Sequence, residues 1–187
     1  ASFAALFAVL NAHPALRYVV QRSERELLSP PRTPYPGDVD VLVSDYYLFK
    51  ALAGARVDDR HRRYMRENDD GFFVQSRVSV SGCEVPFDVR YVGDGCFDPA
   101  WARDQLERRV PVEVGEATVY KPCPLDEAHS IAYHALVHHP AGAKAKHHAH
   151  VFRLLGVADV AAMRASLRQY MRGEGYAVVR PKDLGLG

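Results

Sequence analysis

The alternation of apolar and polar residues predicts strands in the first half of the chain. Residues 17–21 are rich in β-branched and aromatic side chains, and in residues 37–43 valines alternate with aspartates. Residues 72–80 and 84–91 also alternate, and the tight-turn signal between them predicts an antiparallel hairpin. Pro86 lacks a backbone N–H for a strand ladder, so we expect a sheet edge or a bulge at that position.

Apolar residues at helical spacing predict helices at the N-terminus and through the second half of the chain. The predicted helices lie around Phe3–Leu10, after a cap at Ser44 or Asp45, after Asp98-Pro99, and over residues 124–139, 143–155 and 158–171. Together with the strands they indicate an α+β fold, in which a small mixed or antiparallel sheet is flanked by helices. We expect an α/β core over residues 1–122 and a C-terminal helical part over residues 123–187, packed together as one compact unit.

The stretch Gly37–Val43 presents two carboxylates on one face of its predicted strand. A period of two places Asp38 and Asp40 on one side and the three valines on the other. Asp is poorly suited to strands. Two carboxylates this close repel each other unless a cation, most simply a divalent metal ion, compensates their charge. The stretch is therefore either a metal site or the solvated face of an amphipathic strand.

The composition is that of an ordinary globular protein with a sizeable core. The 187 residues are 48% hydrophobic and 25% charged, and 24 Lys and Arg against 23 Asp and Glu leave a formal net charge of +1. This balance gives no bulk electrostatic reason to expect long nucleic acid or an anionic membrane as a partner. No apolar run is long enough to cross a bilayer.

The cysteines and the chain ends bear on compartment and context. Cys83, Cys96 and Cys123 are an odd number without a Cys-x-x-Cys pair, so we expect reduced thiols in a cytoplasmic protein. The chain does not begin with Met and ends in Leu-Gly-Leu-Gly. These ends suggest a piece of a longer protein, whose other domains are candidate partners.

A third carboxylate, Asp88, lies in the second strand of the predicted hairpin. If the strands are neighbours in the sheet, Asp88 faces the same side as Asp38 and Asp40. Three clustered carboxylates form an oxygen site of the kind that Mg²⁺ prefers, completed by waters and substrate phosphates. Two such ions can activate an attacking hydroxyl and stabilise a leaving pyrophosphate.

These residues resemble the motif of the nucleotidyltransferase superfamily that includes DNA polymerase beta and the kanamycin nucleotidyltransferases. That family carries Gly-Ser or Gly-Gly after its first strand, Asp-hydrophobic-Asp on the second, and a third Asp on a later strand. Asp38-Val39-Asp40 matches the pair, Phe87-Asp88-Val89 matches the third Asp, and Ser23 stands where the family has its serine. Ile131-Ala-Tyr-His134 is similar to a later helix of a less characterised branch, and the resemblance spans roughly residues 15–140.

The resemblance implies a metal-dependent transfer of a nucleoside monophosphate from a nucleoside triphosphate to a hydroxyl or phosphate acceptor. The metal ligands and catalytic groups, for Mg²⁺ or Mn²⁺, would be Asp38, Asp40 and Asp88. The substrate-binding groups would be Ser23, Arg22, Arg90 and Lys144. The nucleotide and the acceptor are not specified by the sequence.

Arg22 departs from the family's pattern. The family has glycine there, whose missing side chain lets the backbone approach a triphosphate. Either Arg22 contacts phosphate through its guanidinium, or this branch no longer binds a nucleoside triphosphate in the familiar way. The second outcome corresponds to a catalytically inactive, nucleotidyltransferase-like recognition or scaffold domain of a larger protein.

Most of the nine histidines fall within residues 129–150. His134 and His138 are four residues apart on one predicted helix, a spacing that can hold zinc. The Glu of the zinc-protease motif is missing between them. We therefore favour a polar, partly cationic helical surface with one or two core histidines, and a zinc site in this region is the alternative.

Overall fold

The computed structural model of the protein describes residues 2–21, 27, 37–57, 74–138 and 148–179. Its helices are α1 (Phe3–Ala12), α2 (Tyr46–Ala53), α3 (Pro99–Glu107), α4 (Pro124–Tyr133), α5 (His148–Leu155) and α6 (Val160–Glu174), and α4 continues into a π-helical turn, His134–His138. Its strands are β1 (Tyr18–Val20), β2 (Val39–Val43), β3 (Arg56–Val57), β4 (Val74–Val80), β5 (Cys83–Tyr91), β6 (Val110–Val114) and β7 (Ala117–Lys121).

Five of the strands form one mixed sheet. Their order is β1-β2-β5-β4-β3, in which β2 and β5 run parallel and the other neighbours run antiparallel. Strands β6 and β7 pair separately as an antiparallel hairpin. The fold is therefore α+β with a small mixed sheet flanked by helices, as the sequence predicts.

The predicted hairpin is the pair β4–β5, which is continuous in register from Val74 opposite Val89 to Val80 opposite Cys83. Ser81 and Gly82 form its turn with positive φ angles of 50° and 82°, as a two-residue hairpin loop with the twist of the strands requires. Of the sheet edge or bulge expected at Pro86, the register shows the edge. Strand β2 begins pairing with β5 only at Phe87, so among the described strands β4 alone pairs with β5 at Pro86.

Helices cover the two faces of the sheet unequally. On the first face, the buried valines of β2, Val39, Val41 and Val43, pack with α1, α2 and the β6–β7 hairpin in one hydrophobic core. On the second face, Val19 and Leu42 pack in another core with α3, α4, α5 and α6. The apolar cover of the second face reaches β1 and β2 at these two residues, and the polar residues considered below lie beside it.

Aspartate caps fix where three of the helices begin. Asp45 accepts a hydrogen bond from Leu48 N at 3.0 Å, which shows which of the two predicted caps starts α2. Asp98 accepts from Ala100 N at 2.7 Å with Pro99 at the first helical position, as predicted for α3. Asp159 caps α6 in the same way.

No disulfide joins Cys83, Cys96 and Cys123 in the described parts of the chain. Among the described helices, none combines the length and the apolar character needed to pass through a bilayer.

Candidate active site

A row of four polar side chains crosses the sheet on one face. Asp40 and Asp88 are direct register partners on the parallel strands β2 and β5. Gln75 on β4 is the partner of Asp88, and Gln21, just after β1, donates its backbone N–H to the Asp40 carbonyl at 2.9 Å. Because register partners point to the same side of a sheet, the row runs Gln21, Asp40, Asp88 and Gln75.

The alternation of side chains explains why this row is polar and its reverse side apolar. Val39, Val41, Phe87 and Val89 are at most 1% exposed and fill the first core. A residue between two such positions must point to the opposite face. There Asp40 and Asp88 are half-buried, and Asp38, at the start of β2, is exposed. The carboxylates thus lie where the sheet meets solvent.

The three carboxyl groups interact strongly. Burial, followed by the negative charge of Asp38, raises the pKa of Asp88 to about 7. The charge of Asp40 and a hydrogen bond shared between Asp88 and Asp38 act in the same direction. Gln75 opposes them, since its Nε2 donates to Asp88 Oδ1 at 3.1 Å and favours the ionised form. Near neutral pH, Asp88 therefore exchanges its proton readily.

The donor chemistry of this cluster fits a hard divalent cation, because carboxylate oxygens are the ligands that Mg²⁺ and Mn²⁺ take in proteins. As the side chains stand, the described residues include no group of three or more His, Cys, Asp or Glu placed to hold a metal ion. The charges of Asp38 and Asp40 raise the pKa of Asp88, so without a cation a proton on Asp88 offsets part of the negative charge of the cluster.

The second row of this face carries Arg90. Arg90 is the register partner of Leu42, so it lies on the side of Asp88, one row farther along β5. Gln21 and Arg90 meet His134 and His138 around a cavity of about 10 Å³, room for about one water molecule. Gln21 is only 6% exposed, and its Nε2 has no hydrogen-bond partner within the described parts of the chain. Polar side chains thus line the cavity, which lies next to the row that contains Asp40 and Asp88.

The π-helical turn brings His134 and His138 to this cavity. Their Nδ1 atoms are 3.4 Å apart, and His138 Nε2 lies 3.1 Å from the Cys96 carbonyl oxygen and 3.7 Å from Cys96 Sγ. A π-turn is a rare irregularity that is frequent at functional sites. The histidines and Cys96 are nevertheless not grouped as a metal site within the described residues. His139 and His147 lie outside those residues.

His129 is a core histidine of the kind favoured from the sequence. It is 3% exposed, its ring stacks on Tyr170 at 4.0 Å, and its nitrogens contact the Leu125 carbonyl and Ser166 Oγ. Burial lowers its pKa. These contacts tie α4 to α6, so His129 is structural.

The structure brings Asp38, Asp40 and Asp88 together and places Arg90 on the same face. The other predicted substrate-binding residues, Arg22, Ser23 and Lys144, lie outside the described residues. Sequence reasoning missed Gln21 and Gln75. Gln75 had a partial signal, because it lies in the predicted hairpin, but only the observed two-residue turn places it opposite Asp88. The position of Gln21 depends on the pairing of β1 with β2, and no local sequence pattern predicts that pairing.

No protein-family model and no curated protein matches the chain. Among solved structures, the crystal structure of an antigenic nucleotidyltransferase-like protein from Paracoccidioides brasiliensis is similar over 90% of this chain and 73% of that chain, with a TM-score of 0.38 and 12% sequence identity. A likeness at that TM-score carries no argument about the activity of this chain, which has to be argued from its own residues.

Proposed function

We propose that the protein is a divalent-metal-dependent nucleotidyltransferase, which moves a nucleoside monophosphate from a nucleoside triphosphate to a hydroxyl or phosphate acceptor. The observation that carries the proposal is the register pairing of Asp40 with Asp88 on parallel strands, with Asp38 close enough for its charge to raise the pKa of Asp88. This pairing gathers three carboxylates at the solvent edge of one sheet face. Such a donor set suits Mg²⁺ or Mn²⁺ together with the phosphates that those ions bind.

Each residue of the site has a distinct role in the proposal. Asp38, Asp40 and Asp88 would hold the ions, which when bound supply positive charge to the transferring phosphoryl group. Asp88 would also assist deprotonation of the acceptor hydroxyl, and a bound cation would lower its pKa from the value of about 7 that it has without metal. Gln75 orients the Asp88 carboxyl through its hydrogen bond. Arg90 would add positive charge for the anionic substrate.

Arg22 and Ser23 enter the proposal through the resemblance alone, and Lys144 through its positive charge. Ser23 would donate its hydroxyl to a phosphate oxygen, and Arg22 and Lys144 would contribute charge-assisted hydrogen bonds. Of these, Arg22 decides between two outcomes, because its side chain either binds the triphosphate or fills the space that a glycine would leave.

Calorimetric titration of each nucleoside triphosphate, with Mg²⁺ or Mn²⁺ present and with the metal chelated, tests the proposal. We expect binding that requires the metal and that Asp38→Asn/Asp40→Asn abolishes, since the variant removes two negative ligands while keeping side-chain volume. Glu113→Gln/Glu116→Gln is the matched control, because it removes two carboxylates from the β6–β7 hairpin of the opposite layer. Binding that ignores the metal, or that survives the aspartate substitutions, would contradict the proposal.

The alternative is a catalytically inactive nucleotidyltransferase-like recognition or scaffold domain, favoured by Arg22 at a position where the family has glycine. In that case the wild-type chain binds no nucleoside triphosphate, whereas Arg22→Gly restores metal-dependent binding by removing the side chain. Metal-dependent binding by the wild type that weakens in Arg22→Gly supports the enzyme instead.

A further inference from the structure

Helix α6 carries three arginines on its exposed face. Arg164, Arg168 and Arg172 are four residues apart in succession and all are exposed. At about 1.5 Å of rise per residue, side chains at this spacing follow one another every 6 Å or so along one side of a helix. We call these three residues the arginine stripe.

The arginine stripe has no acidic neighbours on its own helix before the last residue. Helix α6 contains one carboxylate, Glu174, which lies 3.4 Å from Arg108. The three arginines make no ion pair within the described parts of the chain. Like charges four residues apart destabilise a helix by a few tenths of a kcal/mol per pair, so an anion bound along the stripe would relieve a standing repulsion.

The surface between the arginines is open and polar. Arg168 and Arg172 line a shallow groove of about 490 Å³ together with Ala165, Gln169 and Gly173. The small residues leave the guanidinium groups accessible from solvent. The apolar side of α6 is already used, since Met163, Leu167, Tyr170 and Met171 are buried in the second core.

We propose that the arginine stripe binds the phosphate backbone of a nucleic acid without base preference. The stripe is about 12 Å long, and one strand of a duplex presents a phosphate about every 3.4 Å of its axis, so three guanidinium groups can each face a phosphate. Arginine's planar fork suits phosphate oxygens. The formal net charge of +1 does not reveal this local positive charge, because it is summed over the whole chain.

A membrane surface fits the stripe less well. A helix that lies in a membrane interface buries an apolar face among the lipids. The apolar face of α6 packs against the protein, and none of its residues is among the exposed large hydrophobic side chains of the described chain. A phosphodiester backbone, in contrast, can bind a line of arginines through charge alone.

Fluorescence anisotropy with a labelled mixed-sequence RNA and with a DNA duplex, at several salt concentrations, tests the proposal on the full chain. We expect Arg164→Gln/Arg168→Gln/Arg172→Gln to weaken binding about tenfold or more and to reduce the slope of log K against log salt by about 2 to 3. The same positions changed to Lys should keep most of the slope, because charge is retained.

Lys50→Gln/Arg56→Gln is the matched control, since these cations lie on α2 and β3, away from the helical layer. It should leave the affinity and the salt slope nearly unchanged. Unfolding curves identify any variant that fails to fold, and Arg168→Gln alone then replaces the triple variant, with a slope change of about 1. No binding to either nucleic acid, equal losses in the control, or binding to phosphatidylserine vesicles in place of nucleic acid would overturn the proposal.

Discussion

The surroundings of Asp88 shift its pKa in opposite directions. Burial and the charges of Asp38 and Asp40 favour the neutral form, and the hydrogen bond from Gln75 favours the ionised form. The Gln75 amide can donate to Asp88 in either charge state, so it fixes the orientation of the carboxyl throughout. A partner of this kind matters most for a group that has to be both a ligand and a proton acceptor.

Gln75→Leu removes that hydrogen bond while preserving most of the side-chain volume. We expect the affinity for Mn²⁺ or Mg²⁺ to fall by about tenfold to a hundredfold, as is typical when the partner of a metal-binding group is lost. The measurement is calorimetric titration of the metal in the presence of a nucleoside triphosphate. Unchanged affinity in Gln75→Leu would show that the amide has no part in the site.

Asp94, a neighbour of Arg90, gives a second pH dependence. It is 7% exposed, and burial raises its pKa to about 6 although the N–H groups of Cys96 and Tyr91 donate to it at 2.8 and 3.2 Å. Because the folded state holds this proton more tightly than the unfolded state, the contribution of Asp94 to folding falls as pH rises from about 4 to about 6. Above that range the contribution is constant.

Asp94→Asn removes this titration and keeps an oxygen that can accept from Cys96 N. We expect the wild type to lose up to about 3 kcal/mol of unfolding free energy relative to the variant over that pH range. Urea denaturation of both proteins at a series of pH values measures it. Parallel stability curves for the two proteins would contradict the predicted pKa.

At the scale of elements, one buried carboxylate joins three helices. Asp126 on α4 is fully buried and accepts hydrogen bonds from Trp101 of α3, from Arg108 just after α3, and from Tyr170 of α6. Burial alone would raise the pKa of Asp126, but these bonds, led by that from Arg108, hold it below its ordinary value. Asp126 therefore ties α3, α4 and α6 of the helical layer together.

Asp126→Asn breaks this network by removing the charge that Arg108 faces. Leaving a partner of a buried ion pair uncompensated costs about 3 to 5 kcal/mol, and the loss here should lie toward the lower figure because Arg108 is partly exposed. Thermal and urea denaturation measure the change. Arg56→Gln is the comparison, since it removes the exposed pair with Glu84 and should change stability by no more than about 1 kcal/mol. Equal effects of the two substitutions would show that the Asp126 network adds nothing beyond a surface pair.

Local chemistry predicted where helices begin more accurately than where they end or become irregular. The Asp98-Pro99 start of α3 was predictable because the cap and the proline act on their own backbone. The predicted helix 124–139 instead changes into a π-turn after Tyr133. The spacing of its apolar residues did not predict this π-turn, because an extra residue in a helical turn depends on what the helix packs against.

At the scale of the whole molecule, the sheet separates two cores and leaves one part of one face polar. The helices of the second layer reach Val19 and Leu42, and the acidic row begins directly beside them. The proposed site is well placed there, since the first core packs against the strands from behind while the carboxylates meet solvent. The arginine stripe on α6 shares no residue with the proposed site, so separate variants test the two proposed binding surfaces.

The sequence by itself determined which residues could share a face. A strand's period of two is a local property, so Asp38 and Asp40 had to lie opposite the valines of β2, and Asp88 had to lie opposite Phe87. The hairpin β4–β5 was equally local, because its turn residues fix the register of the strands that they join.

Only the tertiary structure decided which strands are neighbours. Strand β2 lies between β1 and β5, and this arrangement sets Asp40 beside Asp88 and brings Gln21 and Gln75 to the ends of their row. Pairing between strands far apart in sequence depends on loop closure and on the packing of both cores, and no local pattern encodes those energies. The three carboxylates could thus be identified from the sequence, whereas their proximity is set by the tertiary fold.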